Sequence, residues 1–459
     1  TEIYTLSLHD ALPISERIKP MKIFPQIGVQ IPTTYLPVKE IDPAKWAVIA
    51  CDQFTSEPAY WEDVTRIVGD APSTLHLILP EVYLGGTEEQ KRVQSTNARM
   101  HQYLSDGLLA PRDQIIYVER TVAGKTRRGL MLALDLEMYD FTAGSQSLIR
   151  ATEGTIIDRL PPRIRIRKDA PLELPHILVL IDDPKDKVIG TVAEQKEKLP
   201  VLYDFDLMKN SGHLCGRLVD DDDLESNVIR YMEMLARPDV FYPKYGVNRD
   251  KGVLLFAVGD GNHSLATAKS IWEELKPIVG MDHPARYALV EIENIHDSGL
   301  EFEPIHRVLF NTKIDLKQAL YDHFGNDLVF EPMPSSEALI SHVKQSSGDI
   351  HTFGLIAHEQ LLLGRIQHPI AYLAVGSLQP VLDRYLQDGN ASSIDYVHGD
   401  EAVFTLGSQE GNTGIYLPAM TKDELFRTVL LDGVLPRKTF SMGEAYEKRF
   451  YMEARRIIL

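Results

Sequence analysis

Apolar runs of strand length alternate along this chain with stretches of helical period. Residues 46–50 (Trp46-Ala47-Val48-Ile49-Ala50) predict a short buried strand that opens into the loop Cys51-Asp52-Gln53-Phe54. Residues 88–105 place Val93, Ala98, Met100 and Leu104 on one side, a helical face. Residues 114–119 and 128–136 flank Ala123-Gly124-Lys125, the pattern of a hairpin. Residues 162–168 alternate Arg163, Arg165 and Arg167 with Ile164 and Ile166, and this period of two predicts a half-buried strand. A helix is expected around 194–199, and another over 224–236, behind the carboxylates of Asp220 to Asp223. Strand 253–258, helix 263–276 and strand 287–292 then follow in the order of a βαβ-like unit. Beyond Arg307, helices are predicted at 315–323, 335–345, 378–386 and 422–430, with strands at 352–356, 359–363 and 403–406.

Mixed elements of this kind predict an α/β (α+β) protein. Its 459 residues suggest two or three packed domains, with divisions at 21–160, 161–310 and 311–459. Residues 1–14 read TEIYTLSLHDALPI, which resembles a translated sequencing adapter, so residues 1–20 are expected to be a non-native leader before Met21. Two cysteines, Cys51 and Cys215, leave no material for a disulfide framework and suit a reducing compartment, the cytoplasm. No apolar run approaches the roughly 18 residues of a membrane span. A formal charge of −18 disfavours a general nucleic-acid surface, which needs concentrated positive charge.

The chemistry concentrates at Asp260-Gly261-Asn262-His263-Ser264. Here an apolar strand ends, glycines permit a sharp turn, and a helix begins at once. The first amides of a helix have no intrahelical acceptor and attract anions, phosphate especially. Asp260 offers a general base, a metal ligand or a cap. His263 offers a proton carrier or a phosphate contact, and Asn262 and Ser264 offer neutral donors. The same string also fits a plain capped turn with no ligand.

Gly259 to Lys269, read as GDGNHSLATAK, resembles the Asp-Gly-His-His-Arg signature of DUF1015, a domain of unknown function. The likeness extends along the chain in order. Upstream are Ile149-Arg150-Ala151-Thr152-Glu153 and Asp158-Arg159-Leu160. Downstream come Asp297-Ser298-Gly299-Leu300, Pro304-Ile305-His306-Arg307 and Leu435-Pro436-Arg437-Lys438-Thr439-Phe440. The resemblance implies a distant relation to the ParB/sulfiredoxin superfamily, with a ParB-like unit over 161–310. Two positions depart from the signature: Asn262 stands for its second His, and Ser264 for its Arg. Loss of that arginine makes Arg307 a candidate for the missing charge.

By this resemblance the chain is a nucleotide-binding phosphotransferase or hydrolase acting on a small metabolite, with a free-serine-kinase-like activity as the sharpest form. ATP or ADP and Mg²⁺ would be its cofactors, with Asp260 holding the metal. Asp260 and His263 would be catalytic, and Gly261, Asn262, Ser264, His306, Arg307, Arg150, Glu153, Arg159 and Lys438 would contact the ligand. A non-catalytic nucleotide sensor and a ParB-like DNA-associated protein are the alternatives. His398-Gly399-Asp400-Glu401 reads as a polar turn rather than a metal cluster. No Walker A sequence, dinucleotide fingerprint or Gly-x-Ser-x-Gly elbow occurs.

Overall fold

The computed structural model describes residues 22–157, 160–345, 350–358 and 360–458; the leader expected at 1–20 lies outside them. Its centre is an eleven-stranded mixed sheet. The elements that position the site are β1 (Ile116–Val122), β2 (Lys125–Asp135), β3 (Ile149–Ala151), α1 (Leu160–Arg167), β4 (Leu178–Ile181), β5 (Phe256–Asp260), α2 (Asn262–Val279), β6 (Tyr287–Asn294) and β7 (Phe302–Phe310). The sheet runs Val201–Asp206, His213–Leu218, β1, β2, β6, β4, β5, β3, Tyr139–Asp140. The β1–β2 hairpin forms as predicted, with Val122 opposite Lys125.

β5 and β6 flank the two ends of α2 in sequence, but they are not neighbours in the sheet. β4 lies between them, antiparallel to β5 and parallel to β6. The expected βαβ unit is therefore a different connection, in which β5 runs against β6. β5 instead has β3 as its parallel neighbour, pairing Val258 with Ala151. That pairing carries Thr152 and Glu153 to the same end of the sheet as Asp260. The expected division at residue 160 passes through this sheet, since β1 to β3 and β4 to β6 are laddered together.

α2 buries Leu265, Ala268, Ile271 and Trp272, the spacing expected of its core face, and Leu265, Ala268 and Trp272 share a core with Val179, Val258 and Val290 of the sheet. A second sheet of seven strands, which includes β7 and His351–Ala357, packs an apolar core around Leu309, Phe353 and Phe426 that also takes in Leu178 and Leu180 of β4 and Ala257 of β5. The chain's last segment then returns to the beginning: Phe450–Tyr451 pairs with Val48–Ile49, and Ala454–Arg456 with Thr34–Pro37. This return brings Lys448 and Tyr451 to the end of β5.

Three local predictions fail for physical reasons. The alternating arginines form helix α1, not a strand. Pro161 and Pro162 suit a first helical turn, and Arg163, Arg165 and Arg167 pair with Glu81, Glu89 and Glu173. Residues 403–406 lie in a helix, Asp400–Gly407, whose two leading carboxylates suit its positive end. Residues 43–46 form a helical turn capped by Asp42, which leaves only Val48–Ile49 as strand. Among the described residues no helix is long and apolar enough to cross a membrane.

Candidate functional site

Where β5 stops, Gly261 turns the chain with φ +78° and α2 begins without a side-chain cap. A Cβ on Gly261 would lie 3.0 Å from the backbone of Ile177, so close approach as well as torsion requires glycine. In front of this helix end lies a cavity of about 340 Å³, whose wall includes Asp52, Glu153, Arg163, His176, Asp260, Asn262, His263, Ser264, Lys438 and Lys448. The turn thus faces a concavity built from four distant parts of the chain.

Asp260 is already partnered. One carboxylate oxygen accepts the Gly261 N–H at 2.8 Å and the other sits 3.0 Å from the Lys448 ammonium. Burial pushes its pKa up, but Lys448, His176 and the Gly261 amide outweigh that and hold it below the usual carboxylate value. An ammonium thus stands where a divalent cation would bind. Among the described residues no group of three His, Cys, Asp or Glu side chains could hold a metal ion. To hold Mg²⁺, as expected of it, Asp260 would have to give up the Lys448 ammonium.

Glu153 behaves differently. Burial raises its carboxyl to about 7, helped by the charge of Asp260 and opposed by the Lys438 amide, which donates to its Oε1 at 3.1 Å. That places its proton exchange near neutrality. His263 accepts the Ile156 N–H on Nε2 at 3.3 Å, which leaves the ring proton on Nδ1. Asn262 ties the turn to β3: its Oδ1 accepts the Thr152 N–H at 3.2 Å and its amide donates to Thr152 and Val258. The departure from His to Asn at this position therefore builds a structural link.

Other candidates lie elsewhere. Arg307 is fully buried and does not line the cavity. Its guanidinium donates to Gln379 Oε1 at 3.1 Å and to the carbonyls of Ile305, Lys438 (3.0 Å) and Arg437 (3.2 Å). Those bonds leave it no reach for a ligand, so it does not replace the charge missing at Ser264; it shapes the loop that presents Lys438. His306 is also fully buried, stacked on Tyr416 at 4.3 Å, with Nδ1 accepting the Leu417 N–H. Burial lowers its pKa to about 4, so the ring is neutral. Arg150 spends its donors on the carbonyls of Ser147 and Lys251, both at 2.7 Å. Arg159 lies outside the described residues.

Sequence reasoning missed His176, Arg163 and Lys448. The hydroxyl of Tyr451 accepts the Cys51 N–H at 3.1 Å and lies 2.8 Å from His176 Nδ1. With the tyrosine hydrogen directed at Nδ1, the ring proton of His176 sits on Nε2, 3.8 Å from Asp52. Asp52 and Gln53 line the polar cavity.

Fold and cavity together define an α/β protein with a polar cavity at the carboxyl end of a sheet strand, where a helix amino terminus meets lysines and histidines. The model of the protein family of unknown function DUF1015 matches residues 35–385, and the chain belongs to that family. A search of curated proteins finds no match. Among solved structures, a free serine kinase variant in complex with AMP aligns at 12% identity and TM-score 0.38, covering 70% of this chain and 91% of that one. SbnI with a C-terminal truncation, from Staphylococcus aureus, aligns at 9% identity and TM-score 0.34, covering 68% and 83%. A conserved hypothetical protein from Pyrococcus furiosus aligns at 12% and 0.35, covering 72% and 95%.

Proposed function

We propose that this protein binds a phosphate-bearing small molecule, a nucleotide among the candidates, and transfers its phosphoryl group to a hydroxyl or to water. One observation carries the reading: the uncapped amino terminus of α2, Lys438 and Lys448 converge on a single cavity beside a carboxyl whose pKa is about 7. Free amides and ammonium groups suit the oxygens of a phosphoryl group, and they act most strongly where water is excluded. Glu153, rather than Asp260, is the proton acceptor in this proposal. The acceptor oxygen forms its bond to phosphorus, the bond to the leaving oxygen breaks, and Glu153 takes the acceptor's proton. Asp260 fixes Lys448 and the Gly261 turn, and His263 borders the same cavity.

Calorimetric titration with inorganic phosphate, AMP, ADP and ATP tests the first half. Binding to the folded state alone raises unfolding free energy by about 2.7 kcal/mol at a hundredfold excess over Kd. Phosphorus NMR with a panel of hydroxyl metabolites tests the second half. Absence of binding by every phosphate overturns the proposal. Binding without turnover leaves a nucleotide sensor, which an Asp260 tied up in an ion pair with Lys448 would suit. The charge of −18 argues against a DNA-associated role.

A further inference from the structure

Beside the polar cavity lies a second one of about 120 Å³, and the two share Arg163, His176 and Ser264 in their walls. The rest of its wall is mostly hydrocarbon, with Leu77, Ile78, Leu84, Met100, Ile166 and Leu172. Its charged groups are engaged with one another: Arg163 with Glu81, and Arg167 with Glu173 at 2.5 Å. Glu173 also holds Arg455 at 2.6 Å and the Leu289 amide at 2.8 Å. The Thr267 hydroxyl donates to the His263 carbonyl at 2.7 Å. Cys51 belongs to the same wall, and burial pushes its thiol up to about 12, so it stands there as a neutral, apolar group.

Neither half explains the other. A phosphate needs only the polar cavity, and a sugar or a serine side chain would gain little from a hydrocarbon wall. The hydrogen-bonding groups of a purine would find Glu81, Arg163, Arg167, Glu173 and Thr267 already engaged, with Ser264 and His176 standing only at the border with the polar cavity. An apolar ring or branched chain suits the space. An engineered apolar cavity of about 150 Å³ stays dry and takes up benzene, which sets the scale.

Resting on the phosphate-binding reading above, we infer that the substrate is a two-part molecule, a phosphate ester or phosphate acceptor carrying a branched aliphatic or phenyl-sized group that enters the cavity walled by Leu77, Ile78 and Met100. His176, held by Tyr451 and shared by both cavities, sits at the junction and faces the substrate where its polar and apolar parts meet.

The test is a series of alkyl phosphates on the full chain: inorganic phosphate, methyl, ethyl, propyl and isobutyl phosphate, and phenyl phosphate, each titrated calorimetrically. Burial of each added methylene strengthens binding about fourfold, so isobutyl phosphate binds on the order of fiftyfold more tightly than methyl phosphate. Leu84→Trp, at a half-buried position in the apolar wall alone, abolishes that gain and keeps the affinity for inorganic phosphate. A flat series in the parent protein, with inorganic phosphate still bound, overturns the inference and leaves the phosphate site standing. A failure of every member, inorganic phosphate included, removes the phosphate site and this inference with it. Adenosine displacing phenyl phosphate would assign the apolar cavity to a nucleobase and overturn the inference too. The parent's series decides the matter even if Leu84→Trp fails to fold.

Discussion

Two polar strings that look alike in the sequence end up in opposite circumstances. Asp260-Gly261-Asn262-His263-Ser264 begins where a strand stops, and its residues border a cavity. His306-Arg307 sits inside β7, a strand that continues to Phe310 on both sides of which the sheet is covered. A polar side chain at a strand's end can face solvent or ligand. The same side chain within a covered strand must find its partners inside the protein, which, among the described residues, the Nε2 of His306 does not. Arg307 does so by gripping the carbonyls of Arg437 and Lys438, so its guanidinium shapes the ligand-facing loop and Lys438 faces the cavity. An arginine in a motif can be there for the backbone it holds.

Breaking the buried string is expected to have the largest effect. Arg307→Met leaves the carbonyls of Ile305, Arg437 and Lys438 and the Gln379 side chain without their donor. Unfolding free energy measured in urea should fall by about 3–4 kcal/mol. Phosphate affinity should fall with it under conditions where the variant is folded, because Lys438 loses its support. A variant as stable as the parent would show that this arginine is not structural.

Glu153 sharpens the comparison, since it belongs to the cavity and yet costs stability. Its folded pKa, about 7, lies above the ordinary glutamate value of 4.5. Between those values the folded state holds more protons than the unfolded state, so this group's contribution to stability falls as pH rises from about 4.5 to 7. Glu153→Gln keeps an acceptor for the Lys438 amide and removes the titration. The variant should be more stable than the parent at pH 8 by about 1–3 kcal/mol, and equal to it near pH 4. Transfer activity should rise through pH 7 in the parent and drop by about 10²–10⁴ in the variant. Equal stability at pH 8 would mean that Glu153 is ionised as readily in the fold as out of it.

The contrast also explains what was legible beforehand. The α2 helix, the β1–β2 hairpin and the strand–turn–helix at Asp260 were readable because local periodicity and glycine torsion decide them. Arg163, Arg165 and Arg167 were misread because alternation of Arg with Ile cannot separate a strand from a helix whose arginines reach Glu81, Glu89 and Glu173, residues distant in sequence. The site itself was half legible. Asp260, His263, Ser264, Glu153 and Lys438 do border one cavity. Lys448 and His176 carry no local signal, for they reach the cavity only through the strand pairing of Phe450–Tyr451 with Val48–Ile49 and the Tyr451 hydroxyl. Arg150 and Arg307 stood out as charges, while their use on backbone carbonyls depends on contacts that only the fold supplies.

Lys438 gives the smallest change in stability and the cleanest separation of the two strings. Its side chain is exposed, with the ammonium 5.5 Å from the Tyr396 ring, and only its backbone amide and carbonyl are held, by Glu153 and Arg307. Lys438→Ala keeps both backbone bonds, so unfolding free energy should stay within about 0.5 kcal/mol of the parent. What it removes is one cation facing the cavity, and on the proposed reading affinity for inorganic phosphate should fall about tenfold, the equivalent of about 1.4 kcal/mol. The loss should shrink as salt is raised, because screening weakens an exposed charge more than a buried one. Should Lys438→Ala unfold as readily as Arg307→Met, or bind phosphate as the parent does, the division between a ligand-facing string and a backbone-holding one would have no basis.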